Sequence, residues 1–405
     1  MIEKLNNYNK VITYIERTKT RLQKKHLPFN DIHYYDAKRL EGIQQGIPLF
    51  ENLSMAQIVQ IAKDAIEFVI RRGCSNMCTH CYANAKPEIH HKQRNKLTTI
   101  SYEDFKKFCN GFKELSNRLG FKALGSDRKY VTLFHDGDSS LVYLQDKKGK
   151  THDYLDLAKE INKLTNSYVL FDTSGWNIQD KVTQKRMEEL VQKAKNVKKY
   201  GFLRFNISIN PFSPFYEKSL MYRFEGNKEK AEKFRNIYTD RMANVIYTMS
   251  PIFDYDYYRI NFILRAFPDN YKEVKGYNAD DLRYLISEII NKVEKLYIKD
   301  YQTGQKVVCS MEQAQGYIKD IESKIVFIQP IGLSGRAAEN FKNKVNIEPE
   351  KIMQNHNTDD YIASIIDVNG KVYFTDFKST TKTDIQLNYK NKNAETPQIF
   401  PLSED

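Results

Sequence analysis

Beyond residue 65 the chain alternates between two textures. Short apolar, β-branched and aromatic runs lie at 66–70, 131–134, 168–171, 202–209, 257–264 and 324–328. Amphipathic stretches of helical length separate them, near 101–119, 153–165, 180–197, 227–249 and 279–297. Such alternation is the pattern of consecutive βαβ units around a parallel sheet. Right-handed crossovers curl a sheet of this kind into an open or partial barrel. The predicted class is therefore α/β: a partial (β/α)6 TIM-like barrel over 66–335, an N-terminal helical extension over 1–65, and a small C-terminal α+β extension over 336–405. In such folds the chemistry sits at the carboxyl ends of the strands.

Two predicted strands carry a polar face. Arg204, Asn206, Ser208 and Asn210 alternate with Leu203, Phe205, Ile207 and Ile209, and Arg259 and Asn261 alternate with Ile260 and Phe262. That face either lines a cavity for a polar ligand or looks to solvent at a sheet edge; the first reading is preferred. In the N-terminal extension, Leu5, Tyr8, Ile12, Ile15 and Leu22 fall on one helix face. Arg17, Arg21, Lys24 and Lys25 form a basic stripe on another, which reads most simply as a solvated face. Ser54 is placed to cap a second helix running through Ile58, Ile61 and Ala65. The Gly-, Asn- and Lys-rich tail holds one hairpin pattern, 361–367 and 371–376, with Asn369-Gly370 at the turn.

Lys and Arg outnumber Asp and Glu by 63 to 51, a formal charge of +12. This favours an acidic partner, whether peptide, nucleic acid or electron-donor protein, without choosing among them. A Lys- and Asn-rich genome bias explains the excess equally well. No apolar stretch approaches the roughly 20 residues of a membrane span, and no secretory signal is visible at the start, so the expected location is cytoplasmic with no membrane association. Of five cysteines, three fall within eight residues. A disulfide framework spreads its cysteines; a cluster in a cytosolic chain points to metal or catalysis.

The cluster reads Arg71-Arg72-Gly73-Cys74-Ser75-Asn76-Met77-Cys78-Thr79-His80-Cys81-Tyr82, directly after the first predicted strand. Three thiolates at Cys-x3-Cys-x2-Cys spacing on one loop can each bind one iron of a [4Fe-4S] cubane and leave the fourth iron without a protein ligand. Structural zinc is the rival. It takes four closed ligands, commonly as two separated pairs, yet here no second pair exists and His80 is wedged between the other ligands.

The motif resembles that of the radical S-adenosylmethionine (SAM) superfamily, and its Cys-x-His-Cys-Tyr ending is similar to the peptide-modifying, SPASM-like branch. The resemblance extends over roughly 66–335. It implies a [4Fe-4S] cluster on Cys74, Cys78 and Cys81 whose open iron is chelated by SAM, with Tyr82 beside it. It also implies that Asp136, Gly137, Asp138 and Ser139 stand where the family has a Gly-Gly-Glu turn for the SAM amino group, with Asp for the first Gly and for Glu. Asp-Gly-Asp-Ser is an ordinary strand-exit turn as well. By position, Ser208 and Asn206 come near the SAM ribose, and Ile331-Gly332 near the adenine. The 171–176 segment, with the single Trp176, is expected to face the same pocket or to serve the core or a lid. The 366–375 segment resembles the hairpin of the branch's auxiliary-cluster extension, but Thr375 and Asp376 stand where a cysteine is expected, and none follows Cys309.

The expected function is reductive cleavage of SAM to a 5′-deoxyadenosyl radical that takes hydrogen from an unactivated carbon, with a ribosomally made peptide as substrate and epimerisation or crosslinking as outcome. Electrons would come from an acidic donor of the flavodoxin or ferredoxin type. Cys309 is a candidate hydrogen donor, although a lone cysteine is more often a small buried hydrophobe; Cys109 sits inside an amphipathic helix. Two alternatives stay open. The same chemistry could act on RNA or a small metabolite, although no nucleic-acid module is recognisable. The chain could also be a non-enzymatic zinc or iron–sulfur binding protein.

Overall fold

Each of the six expected strands forms. A computed structural model describes residues 2–24, 42–74, 76–78, 99–124, 130–134, 137–165, 167–195, 203–252, 260–266, 276–277, 279–306, 309–324, 327–330, 363–375 and 380–388. Strands β2 (Tyr130–Val131), β5 (Tyr168–Thr173), β6 (Leu203–Ile209), β7 (Ile260–Ala266) and β8 (Phe327–Pro330) make a five-stranded sheet in that order. Every pairing in it is parallel. Strand β1 (Ala65–Phe68) runs alongside β2: Glu67 bridges Thr132 in parallel, and Phe68 and Ile70 donate to the carbonyls of Thr132 and Leu133 at 2.9 and 3.2 Å. The protein is thus mixed α/β with a parallel sheet. The short β3 (Leu144–Gln145) and β4 (Thr151–His152) form a separate hairpin.

The C-terminal hairpin also forms, and it continues the sheet on the far side of β1. Strand β9 (Ala363–Ile366) pairs parallel to β1, β10 (Lys371–Thr375) antiparallel to β9, and β11 (Thr380–Gln386) antiparallel to β10. The β9–β10 turn is Asn369-Gly370, with Gly370 at φ +82°, a conformation that costs a residue without Cβ little.

Helices follow the amphipathic stretches: α1 (Ile2–Lys24), α2 (Met55–Asp64), α3 (Tyr102–Leu119), α4 (Tyr154–Asn162), α5 (Lys181–Lys195), α6 (Pro214–Phe224), α7 (Lys228–Met249), α8 (Ala279–Thr303) and α9 (Met311–Lys324). Ser54 does cap α2, through a reciprocal pair in which Gln57 N donates to its Oγ and Ser54 N to Gln57 Oε1, but the helix ends at Asp64 and Ala65, expected within it, opens β1. The buried face of α1 is set by Val11, Tyr14, Ile15, Thr18 and Leu22, with Ile12 at its margin. Arg17 and Lys24 are exposed, as a solvated stripe requires, whereas Arg21 is half-buried with its Nε and Nη2 shielded from solvent; Lys25 and the side chains of Leu5 and Tyr8 lie outside the described residues. Helices α6 and α9 and strand β11 were not legible as separate elements.

One continuous apolar core joins α1, α2, the outer face of the sheet and the C-terminal hairpin. At its centre Phe68 of β1 stacks on Phe108 of α3 at 3.8 Å between ring centroids, while Phe50 meets Phe112 edge-on at 5.0 Å. Each fully buried aromatic of this kind contributes about 1.5–3 kcal/mol. This packing clamps the end of β1, from which the cysteine loop departs.

Candidate functional site

The cysteine loop leaves β1 at its carboxyl end. Gly73, at φ +95°, makes a parallel bridge to Gly137 on the segment after β2, so the two strand exits run side by side. Met77, between the first two cysteines, has φ +49°, the left-handed region that non-glycine residues rarely occupy. Cys74 and Cys78 are both half-buried and free of disulfides. The backbone N–H of Asn76 points at Cys74 Sγ, 3.4 Å away.

Beneath the loop, Asp138 is the centre of a buried network. Its Oδ1 accepts from Ser140 N at 3.0 Å, Ser140 Oγ at 2.6 Å and Thr173 Oγ1 at 2.7 Å. Its Oδ2 accepts from Asn76 Nδ2 and Ser174 N, each at 2.9 Å. One carboxylate therefore ties together the cysteine loop, the β2 exit and the β5 exit. Burial pushes its pKa up, opposed by hydrogen bonds from Ser140, Thr173 and Ser174.

Helix α7 supplies a cation to the same place. Arg241 Nη2 donates to Asn76 Oδ1 and to the carbonyl of Gly175. Burial pulls the guanidinium's pKa down, while Asp138, Cys78, Tyr238 and Cys74 hold it up. Its Nε is buried and has no hydrogen-bond partner among the described residues.

From the centre of the sheet, Asn210 at the end of β6 donates from Nδ2 to Cys78 Sγ at 2.8 Å. Asn206, Ser208 and Asn210 are all buried, at 8%, 0% and 1% exposure. The polar face of β6 is therefore turned inward, and a solvent-facing sheet edge does not account for it. Ser208 Oγ donates to Asp172 Oδ1 at 3.0 Å, and Asp172 N donates to Ser139 Oγ at 2.9 Å. Asn206 stands in register between Asp172 of β5 and Asn261 of β7.

Of the residues expected from sequence, the structure brings together Cys74, Cys78, Gly137, Asp138 and Ser139, with Ser208 joined through Asp172. Cys81, Tyr82, Asp136, Ile331 and Gly332 lie outside the described residues. Cys309 sits in the helical layer, by Tyr247, Tyr297, Met311 and Ala314. Cys109 is core, its thiol pushed up by burial. Trp176 serves the core as well: it is 1% exposed and donates from Nε1 to Gln184 Oε1 at 2.8 Å. A groove of about 850 Å³ between Ile47–Leu49, α3 and the β3–β4 hairpin is lined by none of the loop residues.

Arg241 and Asn76 were missed, whereas Thr173 lies within the 171–176 segment expected at the pocket. Arg241 did leave a signal: an isolated cation among Tyr238, Met242 and Val245, all buried on α7. Among the described residues no three His, Cys, Asp or Glu side chains gather as a metal set. What the described part offers is two thiols on one loop, each accepting a hydrogen bond, beside a guanidinium with a spare donor. That donor set fits an anionic sulfur-bound centre with an acidic co-ligand. Comparison with protein-family models, curated proteins and solved structures returned no match for this chain.

Proposed function

We propose that this chain is a radical SAM enzyme on a partial (β/α)6 barrel, with Cys74, Cys78 and Cys81 as the ligands of one [4Fe-4S] cluster. The observation that carries the reading is the seating of Cys74 and Cys78. Both lie at the carboxyl end of β1, both receive an N–H hydrogen bond, and the Arg241 cation lies beside them. The parallel run β1-β2-β5-β6-β7-β8 supports the barrel.

When bound, the cluster and SAM would supply reductive cleavage of a sulfonium and hydrogen abstraction from an unactivated carbon. The chain's own share is placement and charge. Asp138 receives all five of its hydrogen bonds from the protein, so its part is to hold the loop against β2 and β5. Arg241 Nε, a buried donor without a partner among the described residues, is available to a carboxylate. Ser139, Asp172 and Ser208 form a hydrogen-bonded polar row leading across the sheet from the loop, with Asn206 beside Asp172 in register, a set suited to hydroxyl groups. A ribosomally made peptide remains the proposed substrate class, with a cytoplasmic setting and an acidic flavodoxin- or ferredoxin-type reductant; Cys309, packed in the helical layer beside Tyr247 and Tyr297, is set aside as the hydrogen donor.

Anaerobic reconstitution tests the reading. Expected are about four irons and four sulfides per chain, an EPR signal after dithionite reduction that changes when SAM is added, and formation of 5′-deoxyadenosine. Cys74→Ala and Cys78→Ala each abolish all three. A wild-type chain that takes up zinc and assembles no cubane overturns it.

A further inference from the structure

We propose, on the reading that Cys78 is an iron ligand, that Asn210 tunes the reduction potential of the centre through its hydrogen bond to the Cys78 sulfur. Three features of Asn210 lead there. Its Nδ2 lies 2.8 Å from Cys78 Sγ. Its Oδ1 accepts from Phe212 N at 3.1 Å, which fixes which end of the amide is the donor. Its backbone is pinned as well, with its N–H donating to Tyr238 Oη at 2.8 Å and its carbonyl accepting from Ser213 N at 3.1 Å.

The turn after β6 does not need an amide. An aspartate at 210 would accept from Phe212 N equally well, because Asx turns use only the side-chain oxygen. What distinguishes asparagine is the second atom, and that atom is aimed at sulfur. With the residue 1% exposed, water competes poorly for the thiolate, and the hydrogen bond keeps its strength in the low local dielectric.

Electron density on the ligand sulfurs rises when an iron–sulfur centre accepts an electron. A donor held against one sulfur binds the reduced state more tightly than the oxidised one, so it raises the potential. Asn210 contacts a ligand and not the reacting atoms, which makes it a positioning and tuning residue. Neither its identity nor its direction was evident from the motif, since 132 residues separate it from Cys78.

The test is an EPR-monitored redox titration of the reconstituted full chain, without substrate, for wild type, Asn210→Ala and Asn210→Asp. Both variants are expected to titrate at lower potential, with Asp furthest because an acceptor replaces the donor. A tenfold drop in the reduced-to-oxidised ratio at a fixed potential corresponds to 59 mV for one electron; Asn210→Ala should reach roughly that drop. Asn210→Ser, which can still present a hydroxyl donor, should recover part of it. Should the variants fail to load iron, the wild-type chain labelled with ¹⁵N only in the asparagine side-chain amide decides, because its reduced centre should show a weak ¹⁵N hyperfine coupling, whereas Asn76 approaches sulfur through its backbone nitrogen. A loaded cubane with an unshifted potential, or a labelled wild type without that coupling, overturns the role of Asn210. A wild-type chain that builds no cubane overturns the radical SAM reading and that role together.

Discussion

Arg72, two residues ahead of Cys74, is locked to Asp367 in the C-terminal hairpin. Its Nε donates to Asp367 Oδ1 at 2.8 Å and its Nη2 pairs with Oδ2, the two side chains being 9% and 0% exposed. The hydrogen bond from Val69 N to Ile366 O, at 2.8 Å, runs beside this pair. The end of the chain is thereby built into the base of the cysteine loop.

Breaking that pair from one side should be costly. Asp367→Asn leaves a buried guanidinium without its counter-charge, and such losses run to about 3–5 kcal/mol. Replacing both partners together, as Arg72→Met with Asp367→Leu, should recover most of the stability, because buried pairs are often no better than apolar packing. Urea denaturation of wild type and the two variants reads the difference. A single variant within about 1 kcal/mol of wild type would show that the strand pairing alone holds the hairpin.

Asp138 gives a second stability prediction. Every one of its five partners is a donor, so Asp138→Asn, which turns an oxygen into a further donor, cannot satisfy Ser174 N and Asn76 Nδ2 as the carboxylate does. Asp138→Ala strands all of them. Each orphaned buried group costs about 1–3 kcal/mol, and both variants should fall by at least the lower figure, Ala further. Thermal unfolding checks this, with iron uptake measured in parallel. If Asp138→Asn unfolds with wild type, the carboxylate is not what joins the three segments.

Gly111 sets two known effects against each other. It sits inside α3, where alanine is favoured over glycine by about 1 kcal/mol. A Cβ there would meet Leu49 Cδ2 at 2.6 Å and Leu49 Cβ at 2.7 Å. Leu49 is 1% exposed, and although its Cδ2 can turn, the clash reaches its Cβ, which moves only with the backbone. Overpacking of this kind costs typically about 1–3 kcal/mol, which should win. Gly111→Ala is therefore expected to lower the urea midpoint, and a raised midpoint would mean the segment carrying Leu49 yields.

Much of this architecture could be read before any coordinates, because its causes are local. Six strands and the Asn369-Gly370 hairpin follow from side-chain periodicity and turn chemistry, and Ser54 announces α2 through its own hydroxyl. The cysteine spacing likewise lies within eight residues. What was not legible depends on pairing across the chain. The join of β9 to β1 brings residues 365 and 67 together, and neither strand's composition names its neighbour. Asn76 looked like a spacer between cysteines, yet it bridges Asp138 and Arg241. Arg241 looked like one more charge on a Lys- and Arg-rich chain until its helix was packed. Asp138 was legible as a residue of the site from its strand-exit position, but its five protein donors come from three separate segments.

Asp180, at the start of α5, should make stability depend on acid. Thr183 Oγ1 donates to its Oδ2 at 2.7 Å, and the N–H groups of Val182 and Thr183 reach its Oδ1 at 3.1 and 3.4 Å. The Thr183 hydroxyl bond, then these backbone N–H groups, hold the carboxyl below its usual pKa, against some burial. A carboxyl depressed in the folded state stabilises the protein at pH values above its unfolded pKa of about 3.9, and that contribution fades as pH falls through the lower folded value. Asp180→Ala should therefore lose about 1 kcal/mol near neutral pH, the usual loss for a helix cap. Asp180→Asn should lose less, since its side-chain oxygen still accepts. Guanidinium denaturation across pH 7 to roughly pH 3 reads the gap between wild type and Asp180→Ala. The gap should narrow on acidification, and one that stays constant would mean the ionised form of Asp180 does nothing for the fold.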